Sequence, residues 1–312
     1  MRLLLPTLFA LIWSLQVSAD HHKNPLEISA DNLSNIVKIM ASDEFEGRAP
    51  GTPGEDKTVA YLIAQLQKIG LEPGGAKGSW TQAVPMMRSE VKSPIKMTFS
   101  SPETVLSLDQ GISVSVDTAT ALTNITAADL PVVFVGFGAN APEQDWDDYG
   151  DIDLTDKLVI YLVNDPDFAA EPDEPVAGRF GNRRMTYYGR WAYKFEEAAR
   201  RGAFGALVIH ETEAAGYDWS VAAAGAGENV SLANKDPNAL PVTLQGWLHN
   251  DAASDLLAAA GHDLEALRNE ARRQDFQAFE LQGIRFNADL EVDITTFDSQ
   301  NVLGLIPGSE RP

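Results

Sequence analysis

The sequence predicts an α/β protein, and three observations carry that prediction. Two apolar runs of buried-strand length, 130–136 and 158–163, precede an amphipathic helix, and a third, 206–209, follows it directly after Gly202. Strand, connection, helix, glycine and strand in that order form a βαβ unit with parallel strands. After residue 275 the pattern changes to alternation, with Ala288, Leu290, Val292 and Ile294 on one face and Asp289, Glu291 and Asp293 on the other, which reads as a strand.

The elements follow in order. Residues 1–19 read as a signal peptide, with Arg2, an apolar run interrupted by Pro6, and Val17, Ser18 and Ala19 as a cleavage site. That run is short of the roughly 20 apolar residues a membrane span needs, so the expectation is export to a periplasmic or secreted location with no span after cleavage. Leu33, Ile36, Val37 and Met40 share one helix face, with Ser29 or Asp31 as N-cap. Thr52, Pro53 and Glu55 form a capping box with proline at the first helical position, in which the Thr52 hydroxyl should accept from the Glu55 N–H and the Glu55 carboxylate from the Thr52 N–H. The helix that follows has Val59, Leu62, Ile63, Leu66 and Ile69 as its buried stripe and stops at Gly70.

Short strands are expected at 82–86 and 95–99, and a second unit at 104–270. In that unit the helix places Trp191, Phe195, Ala198 and Ala199 on its inward face, carries Arg200 and Arg201 in its last turn, and ends at Gly202. Residues 241–244 read as a short strand and 251–260 as a helix stopped by Gly261. The strand at 288–294 and a further one at 301–306 close the chain. A complete βαβ core leads us to expect that 104–270 folds alone.

Composition narrows the function. The 312 residues carry 45 Asp and Glu against 24 Lys and Arg, a net charge of −21, which suits a solvated exterior and makes nucleic acid a poor partner. Cysteine is absent, which excludes disulfides, thiol catalysis and thiolate metal ligands from this chain.

Residues 41–54, ASDEFEGRAPGTPG, and 297–308, FDSQNVLGLIPG, resemble the zinc aminopeptidases of peptidase family M28. The middle unit resembles the protease-associated (PA) domain, on the strand at 156–160, DKLVI, with Asp156 in place of the usual glycine, and on the helix end at 195–203. The resemblance implies a partial M28 peptidase sheet in 20–103, a PA insertion in 104–270, and a return to the peptidase domain in 271–312. It also implies an exported enzyme that hydrolyses peptide bonds of peptide or protein substrates through two zinc ions. The family's metal ligands follow the NVxGxIPG strand and have no counterpart in this chain, so no catalytic or metal residue is assigned and the chain alone is expected to be inactive. The alternative is a non-catalytic secreted PA-type interaction module, stabilised by calcium.

Five stretches could carry chemistry. Met185 to Trp191 set aromatic and cationic side chains side by side, and Tyr187, Tyr188, Arg190 and Trp191 are the candidate substrate-binding residues, by stacking and charge. The competing reading is that they anchor the following helix. His210 and Glu211 begin an H-E-x-x-H pattern that Ala214 breaks, so His210 reads as a structural or surface histidine. His249 and Asp251 have the spacing of a metal-binding pair, with His262 nearby, yet Asn250 or Asp251 reads as an ordinary N-cap. Residues 145–156 approach a calcium loop, with Tyr149 and Asp156 where it needs other ligands. In Asp43 to Arg48, an ion pair of Arg48 with Asp43 or Glu46 beneath a turn is expected.

Overall fold

A computed structural model describes residues 28–233 and 241–308, so the expected signal peptide lies outside the described residues. The chain divides into two compact units, 1–64 and 65–312.

In the first unit, α1 (Ala30–Met40) is capped by the Ser29 hydroxyl, which accepts from the Asn32 N–H at 3.3 Å. Its apolar stripe is present but uncovered, with Leu33, Ile36 and Val37 all exposed. A 3₁₀ turn at Asp43–Arg48 buries Phe45, whose ring meets Tyr61 edge-on at 5.8 Å. The expected Arg48 ion pair is replaced by another arrangement. Glu46 pairs with Lys57 at 2.5 Å, and Arg48 donates to the Met40 carbonyl.

The second helix, α2 (Pro53–Lys68), begins where the sequence placed it, with Pro53 as its first residue. Its capping contacts differ from the expected box. The Glu55 carboxylate accepts from the Gly51 N–H at 2.6 Å, and the Thr52 hydroxyl donates to the Ala49 carbonyl at 2.6 Å. Of its expected stripe, Val59 is buried, Leu62, Ile63 and Leu66 are half-buried and Ile69 is exposed.

The second unit is built on a mixed sheet of ten strands. A separate antiparallel pair joins β1 (Glu72–Pro73) to the last strand, β14 (Gly304–Leu305). The early strands of the main sheet are β2 (Thr81–Val91), β3 (Lys96–Ser100), β4 (Val105–Ser107), β5 (Val114–Asp117) and β6 (Asn124–Phe134). A small hairpin, β7 (Asn140–Ala141) with β8 (Trp146–Asp147), leads to β9 (Leu158–Leu162). Then come α3 (Trp191–Arg200), β10 (Gly205–Ile209), the short helices α4 (Thr212–Ala215) and α5 (Trp219–Ala224), and β11 (Glu228–Leu232). The chain continues with β12 (Leu244–Leu248), α6 (Asn250–Ala259), α7 (Leu264–Ala271) and β13 (Phe279–Val302).

Strand order is β11-β2-β13-β6-β9-β10-β12-β5, with β3 and β4 attached beside β13. β6, β9, β10 and β12 run parallel, as the βαβ pattern predicts, and the other pairings are antiparallel. The parallel strands are covered on both faces, which is why their sequences read as unbroken apolar runs. Leu158, Ile160 and Leu207 face Leu256, Leu257 and Leu267 of α6 and α7, while Val159, Tyr161 and Val208 face Phe195 and Ala198 of α3.

Two expectations need correction. The strand read at 241–244 lies at 244–248, because Gln245 and Gly246 break the apolar run that marks it. The strand read at 288–294 is part of one continuous 24-residue strand, β13, and the one read at 301–306 divides between the end of β13, at Asn301 and Val302, and the separate strand β14. β13 pairs with β2 and β3 on one side and β6 on the other, so one sheet crosses both the 103/104 and 270/271 boundaries.

Helix ends obey the glycine signals. At Gly70, Gly202 and Gly261 the backbone turns left-handed, and the next residue donates back five positions: Leu71 to Leu66 at 3.1 Å, Ala203 to Ala198 at 3.0 Å and His262 to Leu257 at 2.8 Å. Each is the Schellman geometry, which satisfies carbonyls that the helix leaves without partners.

Candidate functional site

The aromatic segment sits between the long connection that leaves the carboxyl end of β9 and the first turn of α3, the end of a parallel sheet where α/β folds place their binding groups. Tyr187 is 53% exposed and Trp191 47% exposed, and Arg190 is also exposed. Tyr187 donates its hydroxyl proton to Glu196, and its ring meets Tyr193 at 5.2 Å. Tyr188 is turned inward instead: its ring lies against Tyr193 at 5.2 Å and Phe180 at 6.2 Å, and its hydroxyl donates to Glu143 at 2.8 Å. Burial and that bond to Glu143 push its pKa up to about 12. The structure therefore brings three of the four candidates, Tyr187, Arg190 and Trp191, onto one exposed stretch and makes Tyr188 their support.

Trp191 is the clearest departure from the sequence reading. It was placed on the inward face of α3, yet its ring lies outside, against Phe195 at 5.7 Å. The inward position belongs to Lys194, which is completely buried. Its ammonium donates to the carbonyls of Phe137 at 2.6 Å, Asn164 at 3.2 Å and Tyr188 at 3.3 Å. Burial lowers its pKa to about 8, against the opposing pull of Asp165 and Asp148.

Those two acids are buried as well. Asp165 accepts the Thr186 N–H at 2.6 Å and its hydroxyl at 2.7 Å, and burial raises its pKa. A third buried acid, Asp167, gathers the N–H groups of Phe180, Gly181 and Asn182 on one oxygen at 2.9, 3.0 and 2.9 Å. Asn164 accepts from the Asp165 N–H at 2.8 Å and donates to the Ala214 carbonyl at 2.7 Å. A lysine at the apolar spacing of Phe195 and Ala198, and an Asn-Asp pair directly after an apolar strand, are the sequence signals for this network. The apolar stripe alone does not bring them out.

The remaining candidates resolve as follows. His210 is buried among Tyr217, Trp219 and Trp247, at 5.6, 5.5 and 5.6 Å, and burial lowers its pKa. His249, rather than Asn250 or Asp251, is the N-cap of α6, accepting from the Asp251 N–H at 3.2 Å, while His262 packs on Phe279 at 5.1 Å. In 145–156 the carboxylates serve turns: Asp147 accepts from the Tyr149 N–H at 3.0 Å, Asp153 from the Thr155 N–H at 2.9 Å, and Asp148 is buried beneath Trp146. Among the described residues, no three His, Asp or Glu side chains gather where they could hold a metal ion. The zinc pair that the M28 resemblance implies thus finds no fitting donor set there. No described helix is long and apolar enough to cross a membrane.

No known protein family matches this chain, and no curated protein does so either.

Proposed function

We propose that this chain belongs to an exported zinc-dependent aminopeptidase of the M28 type, and that its PA-type stretch, 104–270, holds peptide through Tyr187, Arg190 and Trp191. The motif resemblance at 41–54 and 297–308 supports the enzyme class. The observation that carries the binding role is the exposure of two large aromatics and an arginine on a segment whose backbone is held by buried charges. Aromatic faces stack on extended peptide with little loss of side-chain freedom, and a guanidinium adds charge and hydrogen-bond donors. In the family a zinc-bound water is the nucleophile. Among the described residues no donor set for that metal comes together.

The test is fluorescence polarisation of a labelled mixed-sequence decapeptide pool with residues 20–312. The double substitution Tyr187→Ala, Trp191→Ala is expected to weaken binding about tenfold, equivalent to about 1.4 kcal/mol. Unchanged binding would remove this surface from the reading.

A second reading, a secreted interaction module without catalysis, uses the same surface and rests on the same exposed Tyr187 and Trp191. Leucine p-nitroanilide separates the two when offered with zinc to the protein purified from its native host. Release of p-nitroaniline supports the enzyme; peptide binding without release supports the module.

A further inference from the structure

Lys194 joins three parts of the fold at one point. Phe137 follows β6, Asn164 follows β9, and Tyr188 lies in the exposed segment, and the carbonyls of all three converge on the ammonium. Asp165, next to Asn164, holds the segment again two residues earlier, through both donors of Thr186. Gly189 completes the attachment: its carbonyl accepts from the Asn164 N–H at 3.2 Å, and a Cβ there would lie 2.9 Å from the Asp165 carboxylate.

Charge, and not bulk alone, is what this arrangement needs. An ammonium has three protons and can serve three acceptors; an apolar side chain of the same length would leave the three carbonyls without that donor and the buried Asp165 and Asp148 without its positive charge. The counter-charges are Asp165 and Asp148, and Tyr161 of β9 presents its ring face at 5.9 Å.

We propose that Lys194 is a positioning residue: with Asp165 as its counter-ion, its ammonium fixes the backbone of residues 186–190 in the conformation that presents Tyr187 and Trp191. A surface ordered in advance binds more tightly than one the peptide must order itself. The proposal rests on the peptide-binding reading for its purpose, whereas the positioning is read from backbone exchange without any peptide.

The lack of cysteine makes a charge-specific test available. In Lys194→Cys the single thiolate is alkylated in denaturant with 2-bromoethylamine, displacing bromide and restoring an ammonium at lysine's length. Alkylation with 1-bromopropane gives a side chain of the same size without charge. After refolding, the Thr186 and Tyr188 amides are followed by hydrogen exchange.

The aminoethyl protein is expected to protect both amides as the wild type does, and the propyl protein to exchange them at least tenfold faster, with peptide affinity falling alongside. Equal protection in the two adducts would overturn the proposal. Should neither adduct refold, the wild type decides: exchange of Thr186 and Tyr188 at the rate of an unstructured peptide rejects the positioning, and protection supports it. Protected amides with no peptide binding would remove the binding reading alone.

Discussion

The carboxylate of Asp148 accepts the indole N–H of Trp146 at 2.7 Å on one oxygen and the Ala139 N–H at 2.8 Å on the other. Both residues are buried, and burial raises the Asp148 pKa to about 7 despite those two donors and the nearby Lys194. A folded pKa above the unfolded one means the group's stabilising contribution is full at low pH and lost as pH rises through about 7. Lys194 has the opposite sign: its pKa is depressed to about 8, so its contribution is full above the unfolded value and lost as pH falls through about 8.

Stability is therefore expected to pass through a minimum between pH 7 and 8, measured as the urea midpoint across pH 5 to 10. Asp165, raised, acts in the direction of Asp148, and His210, lowered, acts against it. Comparison with Asp148→Asn isolates the acid limb, worth about 1.4 kcal/mol for each pH unit of pKa displacement. Parallel curves for the two proteins would exclude Asp148 as the source.

Gly138 tests the same region from the packing side. Its φ is +62°, and a Cβ placed on it would lie 2.3 Å from the Tyr161 ring and 2.9 Å from the Tyr149 hydroxyl. Those phenols are fully buried and hydrogen-bonded at 3.2 Å, so neither has room to withdraw. Gly138→Ala should cost about 2–4 kcal/mol through overpacking and backbone strain, read from denaturant melts. A loss below about 0.5 kcal/mol would show that the tyrosine pair yields.

What was legible in the sequence was local. The Gly70, Gly202 and Gly261 stops, the apolar runs of β9 and β10 and the alternation within β13 each announce themselves inside a short window. Lys194 does not, because a buried ammonium makes sense only once Phe137, Asn164 and Tyr188 have converged on it from distant positions. Trp191 misled for a related reason: helical spacing identifies a face, and the first turn of α3 leaves its first residue outside the packed stripe. Of the exposed stretch proposed to bind peptide, the aromatic and cationic composition at Tyr187 and Arg190 is visible in the sequence, while the inward turn of Tyr188 depends on Phe180 and Glu143.

The start of α2 offers a sharper contrast between the expected and observed caps. Since Glu55 accepts from Gly51, Glu55→Ala should speed exchange of the Gly51 amide severalfold, whereas Thr52→Ala should leave it unchanged and cost about 0.5–1 kcal/mol through the lost bond to Ala49. Faster exchange of the Glu55 amide in Thr52→Ala, and of the Thr52 rather than the Gly51 amide in Glu55→Ala, would restore the capping box read from the sequence.

Metal analysis after dialysis tests the histidines. His249 is occupied as an N-cap and His210 lies within an aromatic cluster, so residues 20–312 should retain no stoichiometric zinc. One zinc per chain that disappears in His249→Ala would make the His249–Asp251 pair a ligand set after all.

The sheet also predicts what happens when the middle stretch is cut out. A βαβ core suggested that 104–270 would fold alone, but β6 pairs with β13 from Phe279 to Glu291, beyond that boundary. Removing β13 exposes the side of β6 and takes away Leu281, Ile284, Phe286, Leu290 and Val292, all buried in the same cluster as Phe134, Ile160 and Leu207. Five such side chains are worth about 1.5–3 kcal/mol each when fully buried, as much in total as the stability of an ordinary domain. Residues 104–270 alone should therefore melt broadly and bind hydrophobic dye, while 65–308, which retains β2, β3 and β13, should unfold in one steep transition. A steep transition for 104–270, at the same denaturant midpoint as the longer fragment, would show that α3, α6 and α7 close the core without β13.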